Sequence, residues 1–269
     1  MWRQQSKMKL AICLYGNLGH HLDPSLRKEK TLVDESRNAN KDFNNSLNNL
    51  NRLFVKNYDV DIFIHSWSES QKDKILEAYK PKSHIIEEQI VFERTLEEYG
   101  IVGDDIKEWD ISQAAKIGYE LLLPSRKSVS AIKEEMSKEI FRTHSRWYST
   151  QQSIKLKKEY EEENGFVYDF VLATRFDNVF YKFPKLEQMP TDKFYASPRT
   201  GRPDIELAFF DYWFMSNSQN MNKFGDLYNN ITDYCIRPTF SCREHVNKVI
   251  GNENVLMWGE HHQDYSLER

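Results

Sequence analysis

The stretch Phe166-Val-Tyr-Asp-Phe-Val-Leu-Ala-Thr174 constrains this chain more than any other segment. Its core is almost wholly apolar, Asn164-Gly165 stands just before it, and it runs straight into Arg175-Phe176-Asp177-Asn178. A continuous apolar run of strand length suits a strand buried on both faces, as in the middle of a parallel sheet. Such a strand needs helices over both of its sides, so the expected class is α/β. Because residues two apart share a face of a strand, its end presents an arginine and a carboxylate on the same side.

Shorter segments repeat the pattern. Lys9 to Tyr15 is an apolar block closed by Gly16-Asn17-Leu18-Gly19, which reads as a strand and a glycine turn. Tyr58 to Trp67, β-branched and aromatic between Val60 and Ile64, reads as a second strand, and His84 to Glu87 as a short third one. A helix is expected over Lys72 to Tyr79, stopped by Pro81. The Asn-rich tract from Asp34 to Asn51 places Phe43, Leu47, Leu50 and Phe54 on one helical face, which favours an amphipathic helix over disorder. Residues 93–127, with Gly100, Gly103, Gly118 and Pro124, read as an insertion of short helices and loops. Ser128 to Glu163 is helical in pattern, with a break expected between His144 and Ser149 and a stop at Asn164-Gly165. Further strands are expected at Phe194 to Ser197 and Leu207 to Met215, and helices at Asn217 to Asn229 and Asn252 to Gln263. The sum is one α/β domain over 1–269, a mostly parallel central sheet flanked by helices.

Composition narrows the function classes. The 269 residues are 29% charged and 39% hydrophobic, which excludes a polytopic membrane protein and a disordered chain. Thirty-seven basic against forty-one acidic residues leave a net charge of −4, which argues against a nucleic-acid binder. Cys13, Cys235 and Cys242 form no CxxC pair and no metal-type spacing, so a reduced, cytoplasmic protein is expected, with Cys13 a buried small hydrophobe. The polar, basic Met1 to Lys9 precedes an apolar run too short for a signal core or a membrane span.

Phosphate-loop, dinucleotide, nucleophile-elbow and zinc-protease motifs are missing from the sequence. What remains are strand ends, where ligands bind in open α/β sheets. Gly16 and Asn17 can offer main-chain N–H groups to a phosphate or nucleoside, or make an ordinary tight turn. Arg175 can clamp a phosphate and Asp177 can hold a divalent ion or sugar hydroxyls; the alternative is an ion pair closing the strand. His65 and Trp67 end the second strand on one face, suited to a ribose or phosphate oxygen and to stacking on a base, or to capping and core packing. Asp59 and Asp61 are weaker candidates by the same parity. Glu260-His261-His262 carries metal-ligand residue types, although neighbours on a helix diverge, so only one histidine can face a given site; His20-His21 share the ambiguity.

The order of elements resembles the GT-A glycosyltransferases, in which a βαβ nucleotide-binding half is followed by an acidic Asp-x-Asp motif at the end of a hydrophobic strand. More closely, Leu10 to Gly16, Asp59 to Trp67, Tyr148 to Glu161, Tyr168 to Asp177, Asp211 to Ser216 and Met221 to Tyr228 are similar to stretches of glycosyltransferase-like proteins of bacterial and large-virus surface or capsular polysaccharide. The resemblance covers most of the chain and leaves roughly 85–130 unmatched. It departs from the family where Arg175 stands in place of the first Asp. The resemblance implies a nucleotide-sugar donor and a glycan acceptor, with the nucleoside at Gly16, Asn17, His65 and Trp67 and the diphosphate at Arg175 and Asp177. It further implies Mn²⁺ or Mg²⁺ at Asp177 and His262, Asp211 as the catalytic base, and an acceptor beside Tyr212 and Trp213. A cytoplasmic location (the host's, for a viral protein) and peripheral membrane association fit that class. The alternatives are another group transferase, of phosphoryl type, acting on glycans, and a catalytically silent nucleotide- or sugar-binding module.

Overall fold

The computed structural model describes residues 7–18, 44–99, 129–198 and 209–267. Its centre is a seven-stranded, mostly parallel sheet flanked by helices, a Rossmann-like α/β arrangement. The strands are β1 (Lys9–Gly16), β2 (Asp59–Ser66), β3 (Ser83–Ile86), β4 (Phe170–Arg175), β6 (Phe194–Pro198), β7 (Phe209–Ser216) and β8 (Val255–Met257), in spatial order β3-β2-β1-β4-β7-β6-β8. β1, β2, β3 and β4 are parallel, and β7 runs antiparallel to both β4 and β6. A separate antiparallel ribbon joins β5 (Asn178–Phe180) to β9 (Tyr265–Leu267).

Alternation along β1 explains why both faces must be covered. Leu10, Ile12 and Leu14 enter one core with Phe54, Ile64, Ile75, Leu172 and Trp213. Ala11, Cys13 and Tyr15 enter the other with Trp147, Ile154, Ala173, Phe214 and Phe224. The first core is closed by the helix at 44–50 (α1), which continues into a π turn at Asn51–Val55, and by α2 (Lys72–Tyr79). The second is closed by α3 (Val129–Asn164), α4 (Ser218–Gly225) and α5 (Pro238–Val249). Gly165, at φ 67°, ends α3 in the left-handed conformation that glycine adopts without steric cost.

The α/β expectation and the first three strands hold. Two local expectations do not. No break occurs near residues 144–149; α3 runs unbroken for 36 residues. Thr143, Trp147 and Ser149 are fully buried there and hydrogen-bond to Ile236, Ser241 and His65, so packing supports the helix where its local sequence is weakest. The helix expected over 252–263 is instead a 3₁₀ turn, β8 and a loop. Gly251 and Gly259 take positive φ at its borders, and Val255 to Met257 pair with β6. Most of the expected 93–127 insertion lies outside the described residues, as do the front of the Asn-rich helix and His20-His21. Cys13, Cys235 and Cys242 are buried free thiols. Among the described residues no helix is long and apolar enough to cross a membrane.

Candidate functional site

The chain leaves β1 toward β2 and β3 on one side, then returns through α3 to place β4 on the other. The carboxyl ends of β1 and β4 therefore flank the topological switch point, where open α/β sheets hold ligands. Tyr15 and Arg175 are register partners across that point. Both face α3, which brings in Arg146, and β7 enters from the opposite direction with Asp211.

Two arginines and two aspartates meet here around the Tyr15 hydroxyl. Arg175 grips Asp177 with two hydrogen bonds, from Nε to Oδ1 at 2.6 Å and from Nη2 to Oδ2. Arg146 Nη1 lies 2.8 Å from Asp211 Oδ2 and donates to the Asp211 main-chain carbonyl at 2.5 Å. The Tyr15 hydroxyl donates to the same carbonyl at 3.3 Å, and the Arg146 guanidinium sits 5.7 Å from the Tyr15 ring centre. The side chains of all four charged residues are between 12 and 19% exposed, so the cluster is largely desolvated but keeps some contact with solvent. Burial works against the Arg175 charge, but the Asp177 and Asp211 carboxylates outweigh it and raise its pKa. Burial pushes the Tyr15 phenol well up, with Arg146 opposing, so it is a neutral donor. Each guanidinium has five N–H donors, and Arg175 spends only two on Asp177, which leaves its outer edge for an anion.

The neighbouring corner differs from expectation. Gly16 takes the positive φ of 94° that its turn requires, but its N–H donates to Ser149 Oγ at 2.8 Å and its carbonyl accepts from Ser66 Oγ at 2.9 Å. Leu18 N–H donates to Ser68 Oγ, so the main chain on both sides of half-buried Asn17 is tied down internally. His65 is fully buried, with Nδ1 2.8 Å from Ser149 Oγ and Nε2 3.1 Å from Glu87 Oε1. Burial lowers its pKa against the opposing pull of Glu87, so the ring is neutral, donating from Nε2 and accepting the Ser149 proton at Nδ1. Acid, imidazole and hydroxyl stand in the order of a hydrolytic triad, but Ser149 is itself fully buried inside α3. This is a brace. Trp67 lies under Tyr148 in a stacked pair (5.5 Å, 21°) with Phe92 and His65 at its edges, which makes it part of a packed aromatic cluster against α3. His65 and Gly16 therefore shape the site from behind instead of touching a nucleoside.

On the β7 side, Trp213 corrects the acceptor expectation. It is 0% exposed and packs on Phe180, Phe183 and Trp258 in the core, so it offers no face to a sugar. Tyr212 is half-buried and stacked on Phe210 (4.8 Å, 6°), with His261 against both rings. The two residues expected to hold a metal, Asp177 and His262, lie toward opposite ends of the β5–β9 ribbon. Both Asp177 oxygens are held by Arg175, and the β5–β9 register puts Asn178 opposite Leu267, while His262 sits in the exposed turn beyond the far end, bonded to Tyr265. Among the described residues no three His, Cys, Asp or Glu side chains gather as a metal shell. Asp59 and Asp61 are strand-entrance groups, paired with Lys9 and Lys82.

Sequence reasoning missed Arg146, Tyr15, Ser149 and Glu87. Arg146 had one visible signal: it lies at i+3 from Thr143 and i−4 from Thr150, at the border of the buried stripe of α3. The fold and the site define a Rossmann-like α/β protein with a part-buried cluster of paired charges at its switch point. No protein family and no curated protein matches this sequence.

Proposed function

We propose that this chain is a glycosyltransferase that moves a sugar from a nucleotide-sugar donor to a glycan acceptor, in the manner of enzymes that build surface polysaccharide. The observation that carries the reading is the pair of arginines, Arg146 and Arg175, set with Tyr15 at the carboxyl ends of β1 and β4. As the bond from the anomeric carbon to the diphosphate oxygen breaks, negative charge grows on the leaving group. Guanidinium N–H groups fixed beforehand stabilise that charge without reorganising. Asp211, oriented by Arg146, takes the proton of the attacking acceptor hydroxyl as its oxygen bonds to the anomeric carbon. Tyr212, stacked on Phe210 and packed against the first core, is given no role in the transfer. The described residues do not form a divalent-metal shell, so no step is assigned to a metal. The three free thiols fit a cytoplasmic site of action.

One observation favours a second reading, a binding module without turnover: each arginine already has an aspartate partner, so the crevice has no surplus positive charge. A thermal-shift panel of UDP- and GDP-sugars, with and without Mn²⁺, followed by a transfer assay, separates the two. Stabilisation with turnover supports the enzyme, and stabilisation without turnover supports the module. An Asp177→Ala protein that keeps full sugar transfer would sink the site assignment.

A further inference from the structure

A second concave surface lies away from the crevice. A groove of about 610 Å³ runs between α3 and α4 with its following 3₁₀ turn (Asp226–Asp233), floored by Ile154 and Gly225. The floor depends on glycine: a Cβ at Gly225 would stand 3.1 Å from Ile154 Cγ2, so the two helices meet closely there. Arg146 and Lys155 are nine residues apart on α3, about 13 Å along its axis, which separates the groove from the switch-point site.

The walls are built of donors. Lys155 and Lys158 from α3 and Lys223 from α4 face one carboxylate, Asp226, in a protein whose net charge is −4. Glu159 and Glu162 approach Lys155 and Lys158 only at 3.8 and 3.9 Å, as exposed pairs that contribute little. Two of the side-chain acceptors on the walls are already used. Asn222 Oδ1 takes the buried Lys157 Nζ at 2.7 Å, which leaves its amide N–H groups for the groove. Asn229 Oδ1 takes Gln151 Nε2 at 3.0 Å. Three ammonium groups and an oriented amide around one cavity suit a tetrahedral oxyanion with several acceptor oxygens.

We infer that this groove is a phosphate-binding site, for a phosphate ester presented either by a soluble molecule or by a lipid headgroup. The probes are inorganic pyrophosphate, followed through the Gly225 main-chain and Asn222 side-chain amide resonances, and phosphatidylglycerol vesicles in cosedimentation, with phosphatidylcholine vesicles as reference. These resonances report the groove alone, so the reading holds or fails independently of the crevice. Pyrophosphate should shift both amides. The Lys155→Gln/Lys158→Gln/Lys223→Gln protein should bind about tenfold more weakly or worse, whereas Lys56→Gln/Lys138→Gln/Lys248→Gln, with the same charge change, should bind as the parent does. Vesicle binding that needs the three groove lysines assigns the headgroup source; amide shifts without vesicle binding assign a soluble phosphate ester. Unmoved amides together with no lysine-dependent vesicle binding would overturn the site. Equal weakening by the two triple variants would overturn it as well, since net charge alone would then explain the binding.

Discussion

Helix α3 carries two charged clusters toward the sheet, and they differ in what they leave over. Lys157 is fully buried, and its ammonium donates to Glu161 at 2.9 Å, Ser218 at 2.6 Å and Asn222 at 2.7 Å. All three of its N–H groups are therefore satisfied. Glu161 in turn accepts from Ser218 and from the Tyr168 main chain, which ties α3 to α4 and to the entry of β4. Eleven residues earlier, Arg146 meets Asp211 in a cluster that keeps some exposure and unused guanidinium donors. A saturated, enclosed charge fixes the fold. A charge held in place but not saturated is available to a ligand.

The strongest way to break this contrast is to remove Lys157. Lys157→Met leaves the Glu161 carboxylate buried without its partner, and unfolding in urea should show a loss of about 3–5 kcal/mol, with little change in nucleotide-sugar affinity measured below the melting range. Arg175→Ala should show the reverse pattern. Sugar transfer should fall about 10²–10³-fold, as when a preorganised oxyanion donor is lost, while the loss in stability should be smaller than that of Lys157→Met, because the Asp177 carboxylate left behind is part-exposed and rehydrates.

A third comparison uses pH. His144, also fully buried on α3, is held neutral: burial lowers its pKa to about 4, and its Nε2 is 2.8 Å from the Tyr99 hydroxyl. The unfolded chain takes up that proton first, so this contribution is complete above about pH 6.5 and is lost as pH falls toward 4. Urea midpoints should drop over that window, and His144→Gln should flatten the drop by an amount equivalent to roughly 3 kcal/mol. The smallest effect is expected at the brace behind the crevice. Ser149→Ala strips the Gly16 N–H and His65 of a shared partner and should cost about 1–3 kcal/mol. Donor affinity should fall only as far as the Gly16 turn shifts, which amide hydrogen exchange at Gly16 and Leu18 would reveal.

How much of this was legible beforehand depends on what kind of signal each element carries. β1, β2 and β4 were readable because strands buried on both faces need unbroken apolar runs, which few other structures tolerate. β5, β9 and α5 were not expected, because three-residue strands have no periodicity to detect and the apolar positions of α5 are diluted by polar ones. The misplaced helix at 252–263 shows the same limit, since a three-residue edge strand between two turns looks polar and helical in sequence. Arg175 and Asp177 were readable as a strand-end pair, and they do stand together at the switch point.

The sequence by itself determined the layering, the central strands and the position of the first charged pair, since all three follow from local patterns of apolar and charged residues. Only the tertiary structure decided which residues share the crevice. Tyr15, Arg146, Arg175 and Asp211 come from four elements separated by up to 196 residues, and only the crossover of α3 and the reversed run of β7 bring them together. The same packing enclosed Trp213 and His65, because a side chain at a strand end is exposed or buried according to which helix lies across it.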